Sequence, residues 1–132
     1  MTNQCLCDSS KPFEKCCERF LNGSAIAATP KQLMRSRYTA YALGDQGEYL
    51  MNTWLPKLSK DLTVASLSEK SQEWLKLEIL KSQQKANEGR VEFNAYYKVD
   101  NGSFHVLHEK SIFRRIDGRW YYVEGEVDSI AG

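Results

Sequence analysis

The residue types best suited to chemistry in this 132-residue chain are four cysteines, all near its beginning. They stand at Cys5, Cys7, Cys16 and Cys17, and the rest of the chain contains no other cysteine. Four thiolates this close in sequence can surround one zinc ion tetrahedrally, each at a Zn–S distance of about 2.3 Å. Two disulfides and free or redox-active thiols are the alternatives for such a cluster. We expect a single structural zinc ion, because disulfides require an oxidising compartment.

The segment between the two cysteine pairs is suited to a tight turn followed by a short helix. Asp8-Ser9-Ser10-Lys11-Pro12 supplies small polar side chains that cap a helix start, and a proline for its first turn. The residues from Phe13 to Phe20 are then expected to form one short helix that presents Cys16 and Cys17 to the metal.

The cysteine spacing, Cys-x-Cys-x8-Cys-Cys, resembles the SEC-C motif, a zinc knuckle found at the C-terminus of the SecA translocation ATPase and on many bacterial proteins. The resemblance implies that Cys5, Cys7, Cys16 and Cys17 are all zinc ligands. It also implies a partner-binding role, since the SecA knuckle is associated with partner-protein binding. The usual motif has Gly-Ser-Gly after the second cysteine, where this chain has Asp8-Ser9-Ser10.

Composition and charge narrow the classes of protein to which the chain can belong. Eighteen basic and 17 acidic residues give a formal net charge of +1, which does not favour general attraction to nucleic acid or to anionic membranes. The N-terminus has no apolar run of the secretory kind, and no stretch approaches the roughly 20 apolar residues that cross a bilayer. We therefore expect a cytoplasmic protein without a membrane segment, in which thiols stay reduced.

Helix signals dominate the first half of the chain after the cysteines. Thr29-Pro30-Lys31-Gln32 predicts a capped helix start, and the helix is expected to run to about Leu43. Asp45-Gln46-Gly47-Glu48 predicts a second capping box that opens a shorter helix. A third helical stretch is expected over about residues 60–69.

Strand signals dominate the second half. Alternating apolar and polar residues predict four strands, and Asn101-Gly102 and Asp117-Gly118 predict tight hairpin turns between the last three. The expected strands cover residues 73–85, 91–99, 104–116 and 119–127.

Two-residue hairpin loops would fix the register of the sheet and therefore its buried face. In that register Phe104 opposes Val99, and Ile112 opposes both Val91 and Val123. The buried face then carries Val91, Phe93, Ala95, Tyr97, Val99, Phe104, Val106, Ile112, Tyr121 and Val123. The opposite face carries Glu109 and an aromatic group of Tyr96, Phe113, Trp120 and Tyr122. A slip of one residue would exchange the two faces.

Helices followed by a curved antiparallel sheet of about four strands give an α+β fold class, in the order of the cystatin-like cone of the nuclear-transport-factor-2 (NTF2) type. Leu33 to Tyr41, Tyr49-Leu50 with Thr53 to Pro56, His108 to Phe113 and Asp117 to Gly125, together with the knuckle, resemble the YchJ family of uncharacterised bacterial proteins. The resemblance implies a zinc knuckle over residues 1–24 and an NTF2-like domain over residues 25–132. Leu55 stands where members commonly have histidine, so no catalytic role is assigned to that position.

Cones of this type often enclose a pocket between the helices and the sheet. The expected lining is Arg37, Tyr41, Trp54, Tyr97, His108 and Tyr121, a set that suits an anionic, partly aromatic small molecule. The structural alternative is that Arg37 pairs with Glu109 or Glu48, or bonds helix-end carbonyls, and that His108 is a satisfied core histidine. No catalytic triad, paired-carboxylate motif or phosphate-binding loop stands out, so an enzyme is unsupported.

Three functions are compatible with these features. The first is a zinc-stabilised adaptor that binds a protein partner through the knuckle or through the exposed aromatic group Tyr96, Phe113, Trp120 and Tyr122, as a monomer or a homodimer. The second is a small-molecule binder or enzyme that uses the cone. The third, nucleic-acid binding, is disfavoured by the balanced charge and would use Lys11, Lys15, Arg19, Arg35 and Arg37.

Overall fold

A computed structural model describes residues 4–69 and 73–131 of the chain. Within these residues, four helices precede four antiparallel strands, which confirms the predicted fold class. The helices are α1 (Glu18–Leu21), α2 (Pro30–Leu43), α3 (Gly47–Asn52) and α4 (Val64–Ser68), with 3-10 turns at Phe13–Lys15 and Pro56–Leu58. The strands are β1 (Glu73–Lys85), β2 (Glu88–Lys98), β3 (Phe104–Ile116) and β4 (Arg119–Ala131). None of the described helices is long and apolar enough to span a membrane.

Helix α2 begins and ends where its sequence signals place it. The Thr29 hydroxyl accepts a hydrogen bond of 3.1 Å from the Gln32 N–H, and Pro30 occupies the first turn. The Gln32 side chain accepts from the Ala28 N–H at 2.8 Å, one residue before the position expected for a capping box. Gly44, at φ 76°, ends the helix in a backbone conformation that other residues rarely adopt.

The second predicted capping box, at Asp45 to Glu48, is wrong. The residue that caps α3 is Gln46, and its side chain makes no capping hydrogen bond. Asp45 instead has a φ of 57°, and its N–H donates to the Ser68 carbonyl at 2.9 Å. This bond ties the start of α3 to the end of α4, so a tertiary contact replaces the local cap.

The sheet has the order β1-β2-β3-β4, and the β2–β3 register differs from the predicted one by one residue. Phe104 opposes Lys98 rather than Val99, because Val99 pairs with Ser103 across a loop that is one residue longer than a two-residue turn. The β3–β4 turn has the predicted two-residue loop. A bulge between Ile112 and Phe113 then shifts the pairing of β3 with β4 in the part of the two strands beyond the bulge.

The slip exchanges the two faces of β3, and of β4 up to Tyr122, where the bulge restores the predicted facing of the later residues. Val91 and Phe93 of β2 are buried as predicted, whereas Phe104 is 55% exposed. Phe113 and Trp120 are 0% and 3% exposed and belong to the core. The predicted partner surface of Tyr96, Phe113, Trp120 and Tyr122 is therefore not exposed as a group, because Phe113 and Trp120 lie in the core.

The core lies between α2 and the inner face of the sheet. Helix α2 packs against β1, β2 and β4, and Gly89 allows the start of the helix to approach the sheet closely. A Cβ atom at Gly89 would lie 2.2 Å from Cγ of Pro30. The four cysteines belong to the same buried cluster as Leu33, Tyr38 and Phe113, so the knuckle and the sheet share one core. A knuckle over residues 1–24 with a separate domain over 25–132 remains a prediction from the sequence.

Candidate metal centre and cavity

The four cysteine thiols meet at one point with the spacing that a tetrahedral metal site requires. Their Sγ atoms all lie within 4.8 Å of one another, and all four side chains are buried. Cys16 Sγ lies 3.6 Å from Cys7 Sγ and 3.9 Å from Cys17 Sγ. Four sulfurs at about 2.3 Å from a central zinc ion are separated by roughly 3.8 Å. The thiols are free of disulfides and positioned to bind a metal.

A tight loop places the first two thiols, and its backbone has the shape that glycine usually provides. The Cys5 N–H donates to the Lys11 carbonyl at 2.9 Å, which closes the loop. Asp8 and Ser10, at φ 61° and 67°, are both left-handed. These are the two positions at which the SEC-C motif usually has glycine, so the fold of the loop is kept although the glycines are absent. The Ser9 hydroxyl lies 3.1 Å from Cys16 Sγ and adds a polar contact to the cluster.

The second thiol pair lies at a break in the predicted helix. The expected helix from Phe13 to Phe20 is instead a 3-10 turn, Phe13–Lys15, followed by α1 from Glu18. Cys16 lies between them at φ −122° and ψ −105°, outside helical geometry. The break turns the Cys16 and Cys17 side chains toward the same point, where adjacent residues of a regular helix would diverge by about 100°.

The cluster is fixed to α2 and to the edge strand β1. The Thr39 hydroxyl on α2 donates to Cys17 Sγ at 3.3 Å, and Arg35, four residues earlier, donates to the Cys7 carbonyl. On the other side, the Asp8 carboxylate accepts from the Leu77 N–H of β1 at 2.7 Å. The loop that carries Cys5 and Cys7 therefore connects the helix layer to the edge of the sheet.

Neighbouring thiols and burial shift the pKa values of the cysteines in opposite directions. Hydrogen bonds from Cys17 and then Cys5 lower the pKa of Cys7, whereas burial raises the pKa of Cys16. Metal binding requires deprotonated thiols, and a divalent cation supplies the positive charge that makes this favourable. The donor set of four soft sulfurs fits zinc and other thiophilic metals.

A second feature is a cavity of about 280 Å³ between α2 and the sheet. Of the residues predicted to line it, Arg37, Tyr41 and Trp54 do so. Tyr97 lies behind Trp74, with ring centroids 5.2 Å apart. The lining residues that sequence reasoning missed include Tyr38, Trp74, Glu109 and Tyr122, and the correct register would have indicated the last two.

Two predicted lining residues lie elsewhere, because the register slip moves them to other surfaces. His108 is on the outer face of the sheet, where its Nε2 lies 2.7 Å from the Glu92 carboxylate. This hydrogen bond lowers the pKa of Glu92. Tyr121 lies at a separate groove of about 410 Å³ beside α1 and the start of α3.

Arg37 is the charged group at one end of the cavity, and it is only 2% exposed. Its Nη1 donates to the Leu50 carbonyl at 2.9 Å and to the Thr53 hydroxyl at 2.6 Å. This confirms the expected bond to a helix-end carbonyl. Among the described residues Arg37 forms no ion pair, so the alternative pairing with Glu109 or Glu48 is wrong. Burial lowers the pKa of the Arg37 guanidinium.

Two neighbouring aromatic rings contact the Arg37 guanidinium. Its central carbon lies 4.9 Å from the Trp54 ring and 4.7 Å from the Tyr122 ring, within the range of cation–π attraction. Trp54 is held there because the chain after α3 pairs with β4. The Tyr122 N–H donates to the Thr53 carbonyl, and the Leu55 N–H donates to the Tyr122 carbonyl, both at 2.8 Å.

Glu109 is the second charged group of the cavity. The Ser111 hydroxyl and the Tyr122 hydroxyl both donate to its Oε2, the latter at 3.2 Å. Gly125 on β4 leaves the necessary room, since a Cβ there would lie 2.3 Å from the same oxygen. Burial and the neighbouring Glu109 raise the pKa of Tyr122, which keeps this hydroxyl protonated and able to donate.

Comparisons with known proteins agree with both the fold and the cysteine cluster. Residues 29–125 match the family model of the YchJ middle NTF2-like domain. The chain is 42% identical to the UPF0225 protein SCO1677 of Streptomyces coelicolor, over 95% of this chain and 96% of that protein. It is 38% identical to the UPF0225 protein VP1145 of Vibrio parahaemolyticus, over 95% of this chain and 75% of that protein.

A solved structure is also similar to this chain. The solution structure of RPA3114, a SEC-C motif containing protein from Rhodopseudomonas palustris, superposes with a TM-score of 0.87 at 36% identity. The match covers 94% of this chain and 98% of RPA3114.

Proposed function

Because this chain belongs to the YchJ family of bacterial UPF0225 proteins, with an NTF2-like domain and a SEC-C type cysteine cluster, we propose that it is a zinc-stabilised protein that binds a small molecule in its cone. The observation that carries the binding function is Arg37, a buried guanidinium that lines an aromatic cavity and has no carboxylate partner in the described part of the chain.

The zinc part of the proposal is supported by the chemistry and spacing of the donors. Four buried cysteine sulfurs form a closed donor set, which is typical of structural rather than catalytic zinc. Cys5, Cys7, Cys16 and Cys17 would hold the ion as thiolates. Zinc at this point would fix the N-terminal loop against α2 and β1, through the contacts of Thr39 and Asp8. The proposal places the protein in a reducing compartment, as expected from the sequence.

Elemental analysis of natively purified protein tests the zinc site. We expect about one zinc ion per chain, and loss of that zinc in Cys17→Ser. Ser24→Ala, at an exposed position outside the cluster, is the control and should keep the metal. A zinc content near zero in the unmodified protein, or equal zinc in Cys17→Ser, would contradict a tetrathiolate site.

The binding part follows from the cost of burying a charge. A guanidinium removed from water is costly unless hydrogen bonds or a counter-charge compensate it. The bonds to Leu50 and Thr53 both use Nη1, so the other donors of the Arg37 guanidinium serve the Tyr41 hydroxyl and the cavity. A bound molecule with an acceptor at this end would complete the set. The aromatic walls would then contact its body.

Nuclear magnetic resonance tests binding with indole, a small planar probe. We expect indole to shift the side-chain N–H signals of Trp54 and Trp74, which line the cavity. Ala95→Leu, which fills the apolar end, should abolish these shifts. Val106→Leu, on the outer face of the sheet, is the matched control and should leave them unchanged. No shift with indole or with other planar aromatic probes would refute a binding cavity.

A protein partner held by the knuckle remains a prediction from the sequence. Its second expected surface, the aromatic group on the sheet, is not available, because Phe113 and Trp120 lie in the core.

A further inference from the structure

The cavity has two charged groups of opposite sign, and this limits the class of ligand. Resting on the proposed binding function, we propose that the cone takes a planar molecule without net charge that presents a hydrogen-bond acceptor and a donor side by side. Primary amides on aromatic rings and lactam rings are of this class. The acceptor would face Arg37 and the donor would face Glu109.

The charge balance is the first step. The sequence predicts a cavity with a guanidinium and an imidazole, which suits an anion. The structure places His108 outside and Glu109 inside, so the formal charges of the lining residues cancel. An anionic ligand would gain attraction from Arg37 but would meet the Glu109 carboxylate in the same small volume. A cationic ligand would be attracted by Glu109 but repelled by Arg37.

The hydrogen-bond inventory is the second step. Arg37 uses Nη1 for Leu50 and Thr53, which leaves donors of the guanidinium for a ligand or for the Tyr41 hydroxyl beside it. From the residues that the structure describes, Glu109 accepts two hydrogen bonds, both through Oε2, which leaves Oε1 as an acceptor. The polar end of the cavity thus offers a donor and an acceptor. An amide or lactam edge complements that pair.

The shape of the cavity is the third step. Tyr38 and Trp74 meet edge to face at 5.8 Å, and Trp54 and Tyr122 do so at 5.0 Å. These four rings line the cavity of about 280 Å³, which is near the lower limit of ligand pockets. This volume suits a molecule of about the size of a bicyclic ring, and aromatic lining favours an aromatic body.

Three probes with one skeleton and different charges test the inference. They are naphthalene-2-carboxamide, which is neutral, naphthalene-2-carboxylate, which is anionic, and naphthalene-2-carboxamidine, which is cationic. Isothermal titration calorimetry with the full chain at fixed zinc concentration measures their affinities. We expect the carboxamide to bind the unmodified protein about tenfold more tightly than either charged probe.

Glu109→Gln gives a second readout, because it removes the negative charge and keeps the shape of the side chain. In this variant the preference should move toward the carboxylate by about tenfold relative to the carboxamide. Glu92→Gln is the matched control, since it removes a carboxylate from the outer face of the sheet. This control should leave the order of the three probes unchanged.

The results separate the two proposals. Tightest binding of the carboxylate to the unmodified protein would overturn the inference and leave the binding function standing. An equal shift in Glu92→Gln and Glu109→Gln would also overturn it, since the selectivity would then come from overall charge. If none of the three probes binds and indole leaves the Trp54 and Trp74 signals unchanged, the inference fails together with the binding function.

Discussion

Phe113 and Phe104 lie on the same strand, and their replacement by alanine tests the register of the sheet. Phe113 is 0% exposed, and its ring centroid lies 5.8 Å from that of Tyr122. Phe104 is 55% exposed, and the Lys98 ammonium lies 5.8 Å from its ring centroid. The register with two-residue loops would reverse these roles. The two substitutions therefore remove the same atoms from opposite environments.

The magnitudes follow from these environments. Truncation of a fully buried phenylalanine to alanine lowers the free energy of unfolding by about 3–5 kcal/mol, from lost apolar burial and the cavity that remains. Phe104→Ala removes a half-exposed ring and one exposed cation–π contact, so its cost should be below about 1 kcal/mol. We expect a difference between the two variants of at least about 2 kcal/mol.

Urea unfolding followed by tryptophan fluorescence measures the difference. Free zinc must be held equal in all samples, because a ligand of the folded state changes the apparent stability. With a urea dependence of about 1–3 kcal/mol/M, Phe113→Ala should lower the midpoint by about 1 M or more, with an unchanged slope. Equal midpoints for the two variants, or a larger loss in Phe104→Ala, would refute the register and with it the lining of the cavity.

Further predictions concern the loop that carries Cys5 and Cys7 and the buried tyrosines. Ser10→Gly should raise the free energy of unfolding by roughly 1 kcal/mol, because Ser10 has a left-handed φ of 67°. Asp8→Gly should raise the free energy of unfolding by about 1 kcal/mol less than Ser10→Gly does. It relieves similar strain but removes the acceptor of the Leu77 N–H. Urea unfolding measures both variants, and equal increases would contradict this role of Asp8. Burial raises the pKa of four tyrosines in the folded state, so their contribution to the free energy of unfolding should be constant below about pH 10 and fall as the pH rises above it. These tyrosines are Tyr38, Tyr41, Tyr49 and Tyr122. Unfolding midpoints across this range measure the effect, and a flat profile would refute it.

Local signals predicted the parts of the fold that local interactions determine. The start of α2 depends on the Thr29 hydroxyl and on Pro30, both of which act within one turn. The limits of β1 and β3 were also predicted, because alternation and turn residues mark strand ends. The cysteine cluster was recognisable because its ligands lie close together in sequence and share one chemistry.

The sheet side of the cavity could not be predicted, because it depends on one residue in one loop. Asn101-Gly102 is compatible with hairpin loops of two or three residues, and the pairing of Val99 with Ser103 selects the longer one. That difference turns Glu109 inward and His108 outward, since each step along a strand reverses the face. The broken helix at Cys16 was missed for a related reason, because its geometry depends on tertiary contacts.

Helix α2 contributes residues to both the cysteine cluster and the cavity, so the free energies of binding at these two sites would be linked through the helix. Thr39 and Arg35 contact the metal cluster, whereas Arg37 and Tyr38 line the cavity, all within two turns of one helix. Two ligands that each restrain the same element are coupled, and the coupling is reciprocal. If both proposals hold, whatever factor zinc adds to the affinity of the cavity for a ligand, that ligand adds to the affinity of the cysteines for zinc.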